Sequence, residues 1–480
     1  MQKMHFSKAR IFTIFFIVLC IAIILKVSIL ALSNPYLWYD EAGQFWMSMG
    51  LNHYSLPFSE RGCAPDVINN NRLYNMDPGG FSLILFLWMH ISTDIIFVRT
   101  LPYLFFLGTC FFLAIISYRE TNNKIFALFM MTLPFLMPYV INRAGELRAY
   151  SMEMMGMIVG VLLLMRIKQR VTFTNILTLS AVLAITCTSR YASVVASFAI
   201  SLRLLYLLYF QHDFKRLLQY LLVYSIPLIS MVLLIYIGMM KFQNSSVEEL
   251  SYAQYIFSSP KALLHPISLV YYSLIIVSVI ERKRGFAVSE IAICGLFVGT
   301  TFFFFSLADK YPWDEIKTMP ATILMSFGLM IELHRLFGQN ERFVNTITTG
   351  VLIVLSVVWI AKFDRLHRGD RVDRQMTELN DIVTKENFSL LFVDLQYTPG
   401  VRYFFEYGNG KNIISNVDYP HKFYFQTGPN HAFNNQNKKK IVYANDVNAD
   451  FYFLKYKGLP DNVKKHFKRY KDYQFIFVRE

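Results

Sequence analysis

Long apolar runs separated by short polar connectors organise the first three quarters of the chain. The first run is Ile11 to Leu32, and others follow at about 98–117, 125–141, 150–165, 174–188, 192–210, 217–240, 263–280, 287–307, 318–333 and 343–361. A helix of ~20 apolar residues crosses the ~30 Å hydrocarbon core of a bilayer, so this pattern predicts an α-helical polytopic membrane protein with about 11 transmembrane helices. The "ALS" that ends the first run resembles a signal-peptidase site. The run is longer than a usual signal core, however, and reads as a retained span.

One apolar stretch does not fit the count. "GGFSLILFLWMHIST", residues 79–93, would cover only ~22 Å as a helix, and Asp77 and Asp94 fence its ends. It reads as a juxtamembrane or re-entrant helix inside one long outer loop, residues 33–97. Beyond a membrane module of residues 1–362, the pattern changes to short strand-like runs, "SLLFVDL", "KIVYAN", "FYFLKY" and "YQFIFV", alternating with helical segments such as "DRQMTELNDIVTKE". Residues 363–480 are therefore expected to form a small α/β domain.

Composition agrees with the membrane class, at 54% hydrophobic and only 17% charged residues over 480 positions. The net charge of +14 would suggest nucleic acid in a soluble protein. Here Lys and Arg fall in alternate connectors, "YRETNNK", "RIKQR", "QHDFKR", "ERKRGF" and "FGQNER", which the positive-inside rule places in the cytoplasm with the basic N-terminus. No nucleic-acid partner is expected, and an odd number of spans puts the C-terminal domain outside the cytoplasm. Cys20, Cys110, Cys187 and Cys294 lie in apolar runs and Cys63 in a loop, without disulfide or metal-ligand spacing. His53 and His90 also lack metal spacing.

The acids of the expected outer connectors are the candidate chemistry. In "NPYLWYDEAGQFW", Asp40 and Glu41 open a short interfacial helix with Ala42, Phe45, Trp46 and Met49 on one face, where the helix dipole favours ionised acids. The plain alternative is an N-cap plus a first-turn acid. "NRAGELRAYSMEMM" brings Arg143, Glu146, Arg148 and Glu153 to the same level, with Glu146, Tyr150 and Glu153 on one face of a continuing helix. Its plain alternative is a local Arg–Glu pair. Asp77 in "NMDPGG", Arg190 in "TSRYAS" and Lys310 with Asp314 and Lys317 in "LADKYPWDEIK" join them. Arg190 has no acid close in sequence, so it reads as an anion-binding candidate beside Arg143 and Lys310.

One base, several cations and a lipid-facing position suit sugar transfer from a lipid phosphate to a hydroxyl. The phosphate leaves as a stable anion held by Arg or Lys, so it needs no general acid, whereas the acceptor hydroxyl gains from a carboxylate base. A glycosidase would need two matched carboxyls.

The order of "YDEAGQF", "DPGGFSLILFLW", "FVRTLPYLFFLGT" and "NRAGELRAYSM" over roughly the first 200 residues resembles the polyprenyl-phosphate-dependent glycosyltransferases of the GT-C fold. The match is to the protein mannosyltransferase and aminoarabinose transferase group, family 39-like, whose usual "HPPL" is "MDPGG" here. The resemblance implies a GT-C bundle with Asp40 as catalytic base, Glu41 as its neighbour, and Glu146 with Arg148 as a second acidic element. It also implies an inverting transfer from a polyprenyl-phosphate sugar to a lipid, glycan or protein acceptor outside the cytoplasm, in a bacterial inner membrane. Some GT-C enzymes use a divalent cation (Mg or Mn) and others none, so the resemblance leaves metal open. A transporter or flippase for a lipid-linked glycan is the alternative, and it would tend to show internal repeats, which are not evident. A receptor or scaffold built around the C-terminal domain is a third reading.

Overall fold

A computed structural model describes residues 8–52, 58–75, 77–211, 213–240, 266–285, 287–307, 319–337, 341–366, 369–394, 397–414, 421–425, 448–454 and 464–479. Each of the eleven apolar runs is mainly helical where described, and one of them is interrupted. In chain order the helices are α1 (Lys8–Leu32), α2 (Tyr39–Ser48), α3 (Ala64–Tyr74), α4 (Gly80–Trp88), α5 (Ile95–Thr121), α6 (Lys124–Thr132), α7 (Pro138–Ala144), α8 (Tyr150–Gln169) and α9 (Phe173–Cys187). They continue with α10 (Tyr191–Gln211), α11 (Phe214–Ile235), α12 (Pro266–Lys283), α13 (Glu290–Leu307), α14 (Met319–Phe337) and α15 (Glu341–Leu366).

Among the described residues, four helical stretches are long and apolar enough to cross a membrane: α5, α8, α10, and α11 together with the π-helical turn that extends it to Met239. Shorter apolar stretches lie at Thr13–Ile29, Lys124–Leu136, Phe173–Cys187, Glu290–Phe303 and Asn345–Val358. The chain is thus a helical membrane protein with a small C-terminal sheet. One expected span is broken. Residues 125–141 form α6, a 3₁₀ turn at Leu133–Leu136 and α7, because Pro134 and Pro138 cannot donate the N–H that a continuous helix needs. The short stretch after Asp77 folds as α4, nine residues and ~14 Å long, too short to cross. Its Phe81 and Leu85, with Met89 just beyond, pack into the core shared with α2 and α5, while Leu87 faces outward.

Charged residues gather at both ends of α8. Near its C-terminus, Lys168 Nζ lies 2.8 Å from Glu290 on α13, and Arg203 of α10 forks onto the same carboxylate at 2.7 and 2.9 Å. Glu332 of α14 accepts the Ser289 N–H nearby at 2.8 Å. Glu153, fifteen residues from Lys168, belongs to the opposite end, ~22 Å away along the helix.

After α15, helix α16 (Gly369–Lys385) buries Val372, Met376, Leu379 and Val383, the three-to-four spacing of one helix face. That face covers a five-stranded sheet of β1 (Leu391–Val393), β2 (Phe423–Phe425), β3 (Phe451–Phe453), β4 (Phe467–Arg469) and β5 (Ile476–Arg479), in the order β2-β1-β3-β5-β4. The pairs β1–β2 and β1–β3 are parallel, with Leu391 opposite Phe423 and Phe451, and the β3–β5 and β4–β5 pairs are antiparallel. Strand β1, flanked by β2 and β3, is buried on both faces, as a parallel strand must be. Helices α17 (Thr398–Glu406) and α18 (Lys411–Ile414) connect β1 to β2. Strands predicted at "SLLFVDL", "FYFLKY" and "YQFIFV" contain β1, β3 and β5. The one at "KIVYAN" lies outside the described residues, and β2 and β4 were not expected.

Candidate functional site

The segment from Asn34 to Glu41 crosses from the end of α1 into α2 and is held by a buried ion pair. Glu41 and Arg99, each 3% exposed, meet at 3.0 Å. Arg99 also donates to the carbonyls of Tyr36 at 2.7 Å and Asn34. Glu41 accepts from Leu147 N at 3.1 Å and from Trp38 N, the N-cap residue, at 3.5 Å. Glu41 thus does the work of a capping acid and a structural counter-ion, and its lone pairs are spent. Glu41, expected as the neighbour of Asp40 in the catalytic pair, is thus held in a structural ion pair. Arg99 was not singled out in the sequence, although a charge one turn into an apolar helix is a standing signal.

Asp40, in the first turn of α2, is only half-buried, and its carboxylate enters no hydrogen bond with a described residue. Its charge acts on Arg148, in the bend between α7 and α8. Burial works against the Arg148 charge, but the carboxylates of Asp77 and Asp40 outweigh it and hold the guanidinium pKa above its ordinary value. Tyr39 feels the same acid from the other side. Burial raises its phenol first, and then the charges of Asp40 and Asp394 add to the shift.

Asp77 is the acid that ties the two arginines together. Its Oδ2 is 3.4 Å from Arg148 Nη2 and its Oδ1 is 4.0 Å from Arg190 Nε. The turn that holds it requires two glycines. Gly79 has φ +89°, a left-handed conformation, and Gly80 donates its N–H to Thr188 O at 2.9 Å so closely that a Cβ would collide with the Thr188 side chain. The turn is therefore pinned to the chain just before Arg190, and the "MDPGG" sequence becomes the placement of a carboxylate.

Behind Asp77 the chain of charges closes on Glu153, which is fully buried in the first turn of α8. Arg190 Nη1 donates to Glu153 Oε2 and Ser193 Oγ to Glu153 Oε1, each at 2.8 Å. The Arg190 guanidinium also lies over the Tyr150 ring, 4.4 Å from its centroid. Arg190 was expected as an anion-binding candidate because no acid lies close to it in sequence. In space it is partnered by Glu153 and Asp77, which sequence distance concealed. Glu146 was expected on the face of a helix with Tyr150 and Glu153. The helix starts only at Tyr150, and Glu146 sits in the bend before it, paired with Arg143, which also faces Tyr150 at 5.2 Å. This is the local Arg–Glu pair of the plain alternative.

The structure thus brings Asp40, Arg148, Asp77, Arg190, Glu153, Arg143 and Glu146 to one end of the helices. Lys310, Asp314, Lys317 and His53 lie outside the described residues. His90 packs edge-on against Phe86 and shares a hydrogen bond with the Phe86 carbonyl. Among the described residues no group of three or more His, Cys, Asp or Glu side chains is placed to hold a metal ion.

Chemically, the arrangement offers a half-exposed carboxylate, Asp40, within the electrostatic reach of a partly open guanidinium, Arg148, at 18% exposure. The more buried charges behind them are paired and serve as a rigid backing. Replacing Arg190 by Lys keeps the charge but loses the fork and the flat stack. It is expected to cost about 1.5–3 kcal/mol, the value of a hydrogen bond to a charged group, read as a lower unfolding midpoint of the purified protein in detergent. No family model matches the chain, and no curated protein matches it either.

Proposed function

We propose that the protein is an inverting membrane glycosyltransferase of GT-C type, with a bundle of about eleven spans. In this reading it moves a sugar from a polyprenyl-phosphate donor to an acceptor hydroxyl on the extracytoplasmic side. The observation that carries the reading is the contrast between two adjacent acids: Glu41 is buried and fully used by Arg99, Leu147 and Trp38, whereas Asp40 is half-exposed, makes no hydrogen bond with a described residue and adds its charge to that of Asp77 in favouring the Arg148 cation. A base needs access to its proton and a leaving phosphate needs a cation, and this pair supplies both on an apolar helical scaffold.

Asp40 takes the acceptor proton as the hydroxyl attacks the anomeric carbon. The bond to the phosphate oxygen breaks on the opposite face, and Arg148 receives the phosphate charge. Arg190 and Arg143 act indirectly, by holding Asp77, Glu153 and Glu146 in place. The test is a panel of synthetic polyprenyl-phosphate sugars offered to membranes containing the protein. The expected result is transfer from at least one donor, with inverted anomeric configuration in the product. No transfer from any donor, with movement of a lipid-linked glycan across sealed vesicles, would replace the transferase with the transporter.

A further inference from the structure

Helix α2 carries Asp40 at its start, and its other end is gripped by the C-terminal unit. Trp46, 1% exposed, donates its indole N–H to the Pro399 carbonyl of α17 at 3.0 Å. Arg402 of α17 lies over the same indole, 4.5 Å from its centroid. Tyr403 and Tyr407 meet Phe45 edge-on at 4.9 and 5.3 Å, and Tyr407 meets Trp46 at 5.6 Å. On the approach to α2, Tyr36 and Trp38 pack against the hydrophobic core under the sheet.

The centre of this contact is a buried charge pair. Arg402 and Glu406, with side chains 2% and 1% exposed, meet at 2.9 Å within α17. They reach back to the loop after α2: Glu406 accepts the Phe58 N–H at 3.0 Å, and Arg402 donates to the Asn52 carbonyl at 3.5 Å. An apolar pair would fill this space without desolvating two charges, so the ion pair is poorly explained by stability alone. Its geometry instead fixes where α17 sits on α2. A ten-residue helix has little stability of its own, so its orientation is set by what it packs against. The bundle holds α2 at Glu41, and α17 holds it at Trp46.

We propose that the C-terminal unit is a positioning element for the Asp40 helix and that Arg402 is its positioning residue. The grip of α17 on Trp46 sets the tilt of α2 and thereby the placement of Asp40 against Arg148. The kinetic part of this proposal rests on the transferase reading; the mechanical part does not. A change in tilt misplaces the base without touching the groups that would hold the donor, so the turnover step suffers rather than donor binding.

The test uses full-length protein in nanodiscs and compares the wild type with Arg402→Gln, Arg402→Lys and Trp46→Phe. Hydrogen exchange of residues 37–48 is followed beside kcat and donor KM. In Arg402→Gln, exchange of that segment is expected to rise on the order of tenfold and kcat to fall by about 10²-fold, with donor KM unchanged. Arg402→Lys, which keeps the charge over the indole, is expected to recover part of both. If Arg402→Gln does not fold, Arg402→Lys and Trp46→Phe, which remove the fork and the indole hydrogen bond separately, must show the same paired change at smaller size. Wild-type exchange in the folded variants overturns the proposal, as does raised exchange with unchanged kcat. A wild-type protein inactive on every donor defeats the transferase reading, and exchange then decides the mechanical coupling alone.

Discussion

Asp40→Asn is expected to lower sugar transfer by about 10²- to 10⁴-fold, the range supplied by a positioned general base, while leaving the fold and donor binding intact. The substitution keeps the size of the side chain and removes its capacity to take a proton. Its structural cost should be small, because the carboxylate is half-exposed and makes no hydrogen bond with a described residue. Loss of the Asp40 charge withdraws one of the two carboxylates that favour the Arg148 guanidinium, but Asp77 remains beside it. The measurement is initial rate against donor concentration for wild type and variant at matched expression. A fall in kcat with unchanged KM assigns the proton transfer to Asp40. Full retention of transfer removes Asp40 from the chemistry. The search would then turn to Asp77, whose side chain is 15% exposed against 8% for Glu146 and none for Glu153.

That ranking differs from the one the sequence supports, and the reason is physical. Hydrophobic periodicity identified the helices because burial of apolar faces is local information, repeated every few residues. The residues expected on the apolar face of an interfacial helix, Ala42, Phe45, Trp46 and Met49, are buried against protein, and so are Gln44, Met47 and Ser48. The pairing of charges is not local: Arg190 meets Glu153 across 37 residues, and Arg99 meets Glu41 across 58. Nothing in the spacing of "TSRYAS" announces a partner, so a paired arginine reads as a lone one. The role of Asp77 depends on the left-handed Gly79 and on the close approach of Gly80 to Thr188. The glycines were visible in the sequence, but the neighbour that makes them necessary was not. The grip of α17 on α2 lies still further out of reach, since Trp46 and Pro399 are 353 residues apart.

The acid next to Asp40 is expected to behave in the opposite way. Glu41→Gln leaves Arg99 charged and 3% exposed without its counter-ion, and breaking a buried pair from one side costs about 3–5 kcal/mol. The amide oxygen can still accept two hydrogen bonds, but an NH2 donor replaces the second oxygen, so it cannot serve Arg99, Leu147 N and Trp38 N together as the carboxylate does. The variant should therefore show a markedly lower unfolding midpoint in detergent and reduced yield, with any loss of transfer following the loss of folded protein. Removing the stranded charge as well, in Glu41→Gln with Arg99→Met, should restore part of the stability, because the uncompensated guanidinium is the larger penalty. The restoration will be incomplete, since Arg99 also serves the carbonyls of Asn34 and Tyr36. A Glu41→Gln protein that folds with wild-type stability yet transfers no sugar would reverse the assignment of the two acids. Glu41 would then belong to the chemistry, and Asp40 would be the acid that merely opens the helix.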